Sequence, residues 1–180
     1  MGWRVGMRGF ILARRSFLMK TIVIGLGNPI LGDDGIGWKV AEEVKKQLTS
    51  PPTPLLKGEG SEVDVEFLSL GGISLMERLI GYERAILIDA VSSDEETGSI
   101  MVSKLNEMPD YSALHTTSAH DTSLQNALKL GKAMGADLPK AVIVVGIATD
   151  LVYDFGEELS PPAAKAVPEA AKIVLDLLSQ

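Results

Sequence analysis

The chain reads as an α/β protein, a single-domain three-layer sandwich in which a mostly parallel twisted sheet of about five strands carries helices on both faces. Three observations predict this. Apolar, β-branched runs alternate with helical stripes along the chain, the pattern of successive strand–helix units. The runs at 20–25 (KTIVIG) and 140–147 (KAVIVVGI) are almost continuously apolar, as strands covered on both faces must be. A length of 180 residues suffices for one core that buries roughly 70% of the unfolded surface.

Taken in order, 20–25 is the buried first strand. Ile36, Val40, Val44 and Leu48 then recur four apart, one apolar stripe on a helix over 35–48, with Asp33 or Asp34 as its cap. The stretch 49–61 (TSPPTPLLKGEGS) holds three prolines and two glycines, which break helix and central strand alike, so it reads as a surface insertion. Val63, Val65 and Phe67 alternate with acids in a second strand over 62–68. Gly71-Gly72 turns the chain into a short helix over 74–80. A third strand, 84–90, ends in Asp89, and 99–105 is a fourth, at the sheet edge. The polar stretch 106–120 contains both histidines, and connections of that length tend to carry function. A helix over 121–134 precedes the last strand, 140–147. Pro161 and Pro162 start a helical turn, and Pro168 is expected to interrupt it, leaving a final helix over 168–178 whose stripe, Ile173, Val174, Leu177 and Leu178, packs on the sheet.

Composition excludes several classes of function. There is no cysteine, so disulfides, thiolate metal sites and a cysteine nucleophile are out, and any metal must be held by Asp, Glu, His or backbone oxygen. Hydrophobic residues make up 46%, yet no run reaches the ~18 apolar residues of a membrane span. The net charge of −7 is uneven: residues 1–20 carry five bases and no acid, and 21–180 carry 12 bases against 24 acids. Such a body suits nucleic acid poorly, because phosphate contacts need a clustered positive surface. Arg14-Arg15 resembles a twin-arginine export signal, but a core strand follows where an apolar targeting segment should stand. Residues 1–18 therefore read as a basic extension, disordered or added by a start codon placed too early, before a folded domain at 19–180. The expected location is the cytoplasm, and the expected state a monomer.

Three places that could carry chemistry lie just beyond the carboxyl ends of predicted strands, where open α/β sheets bind ligands. The first is GLGNPILGDDGIG (25–37). Its glycine spacing is wrong for a dinucleotide turn, and Asp33 and Asp34 stand where a pyrophosphate would approach; beside a cation they are favourable. The second is Asp89, a carboxylate closing an apolar strand, costly to desolvate unless paired. The third is the segment with His120, which precedes a helix; His115 reads as solvent-exposed. The blander alternatives are a helix cap for Asp34, a strand-end hydrogen bond for Asp89 and a packed loop imidazole for His120. Jointly, two carboxylates and an imidazole make a plausible oxygen–nitrogen metal site.

The run GLGNPILGDDGIG after a first strand, Asp89 in LIDAV, His120 in TTSAHDTSL and the later strand VIVVGI together resemble the hydrogenase maturation proteases, over 19–180 apart from the insertion at 49–61. That resemblance implies an endopeptidase that removes a short C-terminal extension from the nickel-loaded large subunit of a [NiFe] hydrogenase. It also implies a metal-binding trio, Asp34, Asp89 and His120, with the nickel borne by the precursor; His115 has no counterpart in the pattern. The basic extension and the insertion depart from the family without touching the trio. Without cysteine or a clear serine–histidine–acid pattern there is little to nominate as a covalent nucleophile. Metal-linked hydrolysis fits better, with the ion either a Lewis acid or a docking signal beside a carboxylate base. Peptidyl-tRNA hydrolase also opens with a strand and GLGNP, but the match stops at Pro29 and the acidic body suits its substrate poorly. A non-catalytic nickel-linked chaperone or binding module of the same fold is the other alternative.

Overall fold

The computed structural model describes residues 19–49, 61–108, 123–150 and 155–180. The extension at 1–18, most of the insertion, and both histidines lie outside them. The chain runs β1 (Met19–Leu26), α1 (Ile36–Thr49), β2 (Ser61–Leu68), α2 (Gly72–Arg78), β3 (Arg84–Val91), β4 (Ile100–Lys104), α3 (Leu124–Ala133), β5 (Ala141–Ala148) and α4 (Pro161–Leu178), with 3₁₀ turns at Gly32–Gly35 and Leu105–Glu107. The five strands form one sheet in the order β2-β1-β3-β5-β4. All neighbours are parallel except β4, which pairs antiparallel with β5 at the edge.

Strand alternation divides the core into two layers. Val23, Ile86, Ile88, Ala90, Val145 and Ile147 face α1 and α4. Ile22, Ile24, Leu26, Ala85, Leu87 and Val144 face α2 and α3. The stripe expected on α1 is the one it buries, Ile36, Val40 and Val44 being fully inaccessible with Leu48 at the margin. At the opposite edge, Glu62, Asp64 and Glu66 alternate with the core-facing Val63, Val65 and Phe67 of β2. Exposed charge on an edge strand discourages pairing with another chain. These acids meet cations: Lys20 Nζ lies 3.4 Å from Asp64, and Arg78 3.0 Å from Glu66. Tyr82 donates its hydroxyl to Asp64 Oδ2 at 2.7 Å, under the Lys20 ammonium.

Three expectations need correction. Pro168 does not end a helix: α4 runs unbroken from Pro161 to Leu178. The carbonyl left without a donor four residues back belongs to Ala164, which is exposed and has water to accept from, while Ala163, Ala166, Ala170 and Ala171 bury the inner face without crowding; tertiary packing outweighs the proline. On that inner face Val174 and Leu175 are buried, with Leu177 and Leu178 packed at the edge. Neither Asp33 nor Asp34 occupies the capping position of α1, because the 3₁₀ turn holding both runs directly into Ile36. The helix expected from 121 begins at Leu124, where the Ser123 hydroxyl accepts the Asn126 N–H at 3.3 Å and caps it.

Candidate active site

The sheet order reverses direction between β1 and β3: the chain leaves β1 for β2 on one side and reaches β3 on the other. At such a switch point the loops part and leave a crevice beyond the strand ends. The start of α1 is pressed against it, since a Cβ on Gly37 would lie 2.2 Å from the Leu26 carbonyl oxygen and 2.4 Å from that of Ile88. Only glycine lets the helix seat on both strands at once.

Asp34 and Asp89 come to this crevice from different elements. In the ladder Gly25 sits opposite Ile88, which puts Asp89 level with Leu26, the last residue of β1. Its other neighbour is Gly146 of β5. Alternation with Ile88 and Ala90 turns Asp89 toward the layer of α2 and α3, and it is fully inaccessible. Asp34 lies in the 3₁₀ turn that packs on β3 and is 5% exposed. Its Oδ2 accepts the Asn28 N–H at 2.6 Å, a short charge-assisted bond that offsets part of the desolvation. The N-terminus of α1, immediately downstream, adds a favourable dipole. Gly27 makes the loop possible, with φ at +120° and the Asp34 carbonyl oxygen 1.8 Å from where a Cβ would stand.

The two adjacent aspartates therefore do different work. Asp33 points to the start of α4, where its Oδ1 accepts the Ser160 N–H and its Oδ2 the Ser160 hydroxyl, each at 2.6 Å. Sequence reasoning missed Ser160, which the pattern Ser-Pro-Pro marks only as a helix start. His120 and His115 lie outside the described residues, and among those residues no three His, Cys, Asp or Glu side chains converge on a metal-sized site. The described protein thus supplies two buried oxygen donors, Asp34 and Asp89, of the type hard and borderline divalent cations accept. The chain returns from the segment holding position 120 at Ser123, capping α3, and Leu124 packs in the same layer that Asp89 faces.

Comparison with known proteins bears on this arrangement. A family model described as hydrogenase maturation protease matches residues 39–177, a span that contains Asp89 and position 120 and begins after Asp34. The hydrogenase expression/formation protein HoxM of Azotobacter vinelandii is 24% identical over 161 residues, covering 89% of this chain and 73% of its own. Among solved structures, the hydrogenase maturating endopeptidase HybD from E. coli superposes with a TM-score of 0.66 at 26% identity, over 89% of this chain and 92% of that one. A hydrogenase 2 maturation peptidase from a Thaumarchaeota archaeon gives a TM-score of 0.59 at 27% identity, over 88% and 97%.

Proposed function

Because the chain belongs to the hydrogenase maturation protease family, a family of peptidases, we propose that it removes a short C-terminal extension from the nickel-loaded large-subunit precursor of a [NiFe] hydrogenase. The observation that carries this reading is the pair of buried carboxylates, Asp34 and Asp89, brought by different elements to the β1–β3 switch point. Both are oxygen donors of the kind a divalent cation accepts. With His120 they form the ligand set that would meet nickel carried by the precursor, so that the ion is part of the substrate and a metal-free precursor is left uncut.

The donor set fits that role. Carboxylates and an imidazole accept a divalent first-row cation, and no thiolate is available to compete with the precursor's own ligands. Bound there, nickel supplies positive charge beside the scissile carbonyl. The chain's own part is to orient: the Asn28 N–H holds Asp34 through one oxygen, and Asp89 is paired with Gly146 of β5, one residue beyond the last β1–β3 pair, Gly25 and Ile88. The substrate surface is a protein segment in extended form, reaching the crevice above the strand ends.

The test is the mass of a co-expressed, nickel-loaded large-subunit precursor with and without this protein, beside Asp34→Ala, Asp89→Ala and His120→Ala. Loss of a short C-terminal peptide with the native chain only is the expected result. Processing that survives Asp34→Ala or His120→Ala overturns the site, and an unchanged mass despite a stable complex identifies a nickel-linked chaperone instead.

A further inference from the structure

We propose that Asp33 is a positioning residue for Asp34, acting through Ser160. A single residue 127 positions away takes both oxygens of Asp33, through its N–H and its hydroxyl at 2.6 Å each. Two short charge-assisted bonds in a fork fix a carboxylate in place and in orientation. Ser160 has the backbone position of an N-cap, yet its side chain makes no capping bond. Pro161 and Pro162 fill the first two helical positions and have no N–H to be capped, and the Ser160 hydroxyl donates to Asp33.

The same two segments are joined again one step upstream. Gly32 N–H donates to the Gly156 carbonyl at 2.7 Å and Gly156 N–H to that of Ile30 at 3.0 Å, an isolated bridge centred on Leu31 and Gly156. The loop that carries Asp34 is thereby tied at residues 30, 32 and 33 to a segment anchored by α4, whose buried alanines lock it against α1 and the sheet. Asp34 follows directly, its own N–H donating to the Leu31 carbonyl at 3.3 Å and its Oδ2 receiving Asn28. With both oxygens engaged by Ser160, Asp33 is set to orient its neighbour.

This inference rests on Asp34 acting in precursor cleavage, and the experiment separates the two claims. Cleavage of the nickel-loaded precursor is followed with Asp33→Ala, Ser160→Ala, the double variant and Ser160→Thr, which keeps both donors. A displaced catalytic group costs about a hundredfold in rate, so kcat is expected to fall by up to about that factor in Asp33→Ala with KM little changed. The double variant should be no slower than the slower single, because both remove one interaction, and Ser160→Thr should restore the native rate. An unchanged kcat for Asp33→Ala, or additive losses in the double variant, overturns the proposal. If the native chain leaves the precursor uncut, the protease reading fails, and amide hydrogen exchange decides the latch: faster exchange at Asp34 in Asp33→Ala upholds it, native exchange there refutes it.

Discussion

Gly27 leaves β1 at φ +120°, with the Asp34 carbonyl oxygen 1.8 Å from the place a side chain would begin. An alanine there must both hold a disfavoured backbone and displace a neighbouring carbonyl. Gly27→Ala is therefore expected to lower the unfolding free energy by about 1–3 kcal/mol and to slow precursor cleavage, readable as a lower urea midpoint beside the mass assay. At this scale the sequence is informative where a residue breaks its own surroundings. Asp34 in a glycine loop and Asp89 at the end of an apolar strand stood out because a carboxylate is costly to desolvate in such a place, and both are buried. The role of Asp33 was illegible. Its partner Ser160 is 127 positions distant, and no local spacing encodes a tertiary hydrogen bond. The assignment of His120 rests on the family pattern, since that segment lies outside the described residues.

Among the elements, α4 corrects the sequence most plainly. Proline in a helix interior removes one backbone bond, and sequence rules give that loss its full weight. In α4 it falls at an exposed position, whereas the buried alanines either side hold the helix to the sheet. Pro168→Ala is accordingly expected to raise stability by about 1–3 kcal/mol, measured by chemical denaturation, with the buried face untouched. The edge formed by β1 and β2 makes a pH-dependent prediction. Burial, then the hydrogen bond and charge of Asp64, push the Tyr82 phenol up to about 12. The Tyr82 hydroxyl first, and Lys20 after it, hold Asp64 below its ordinary value against opposing desolvation. The tyrosine contribution is complete below pH 10, the ordinary phenol value, and is lost as pH rises toward about 12. The Asp64 contribution is present above the ordinary carboxylate value of 3.8 and fades as pH falls below it. Urea midpoints of the native chain and Tyr82→Phe should thus differ at neutral pH and converge as the solution approaches pH 12.

For the whole molecule, the alternation of strand and helix was enough to specify a three-layer α/β sandwich with β4 at an edge, because each element announces its own period and the parallel arrangement follows from it. What alternation leaves open is strand order, and with it the location of the crevice; β1 and β3 become neighbours only through the topology. The central strands of that sheet are buried on both faces. Leu87, fully buried between the helices of one layer and the strands beside it, is expected to cost about 2–5 kcal/mol when cut to alanine, as a shift in the denaturation midpoint without change in slope. The fork between Asp33 and Ser160 also sets a timetable. A ribosome adding about 5–20 residues per second makes the loop with Asp34 well before Ser160, 127 positions after Asp33. For on the order of ten seconds the nascent chain holds Asp33 and Asp34 without the contact that fixes the first of them, so the loop gains its tertiary anchor only after Ser160 has been made.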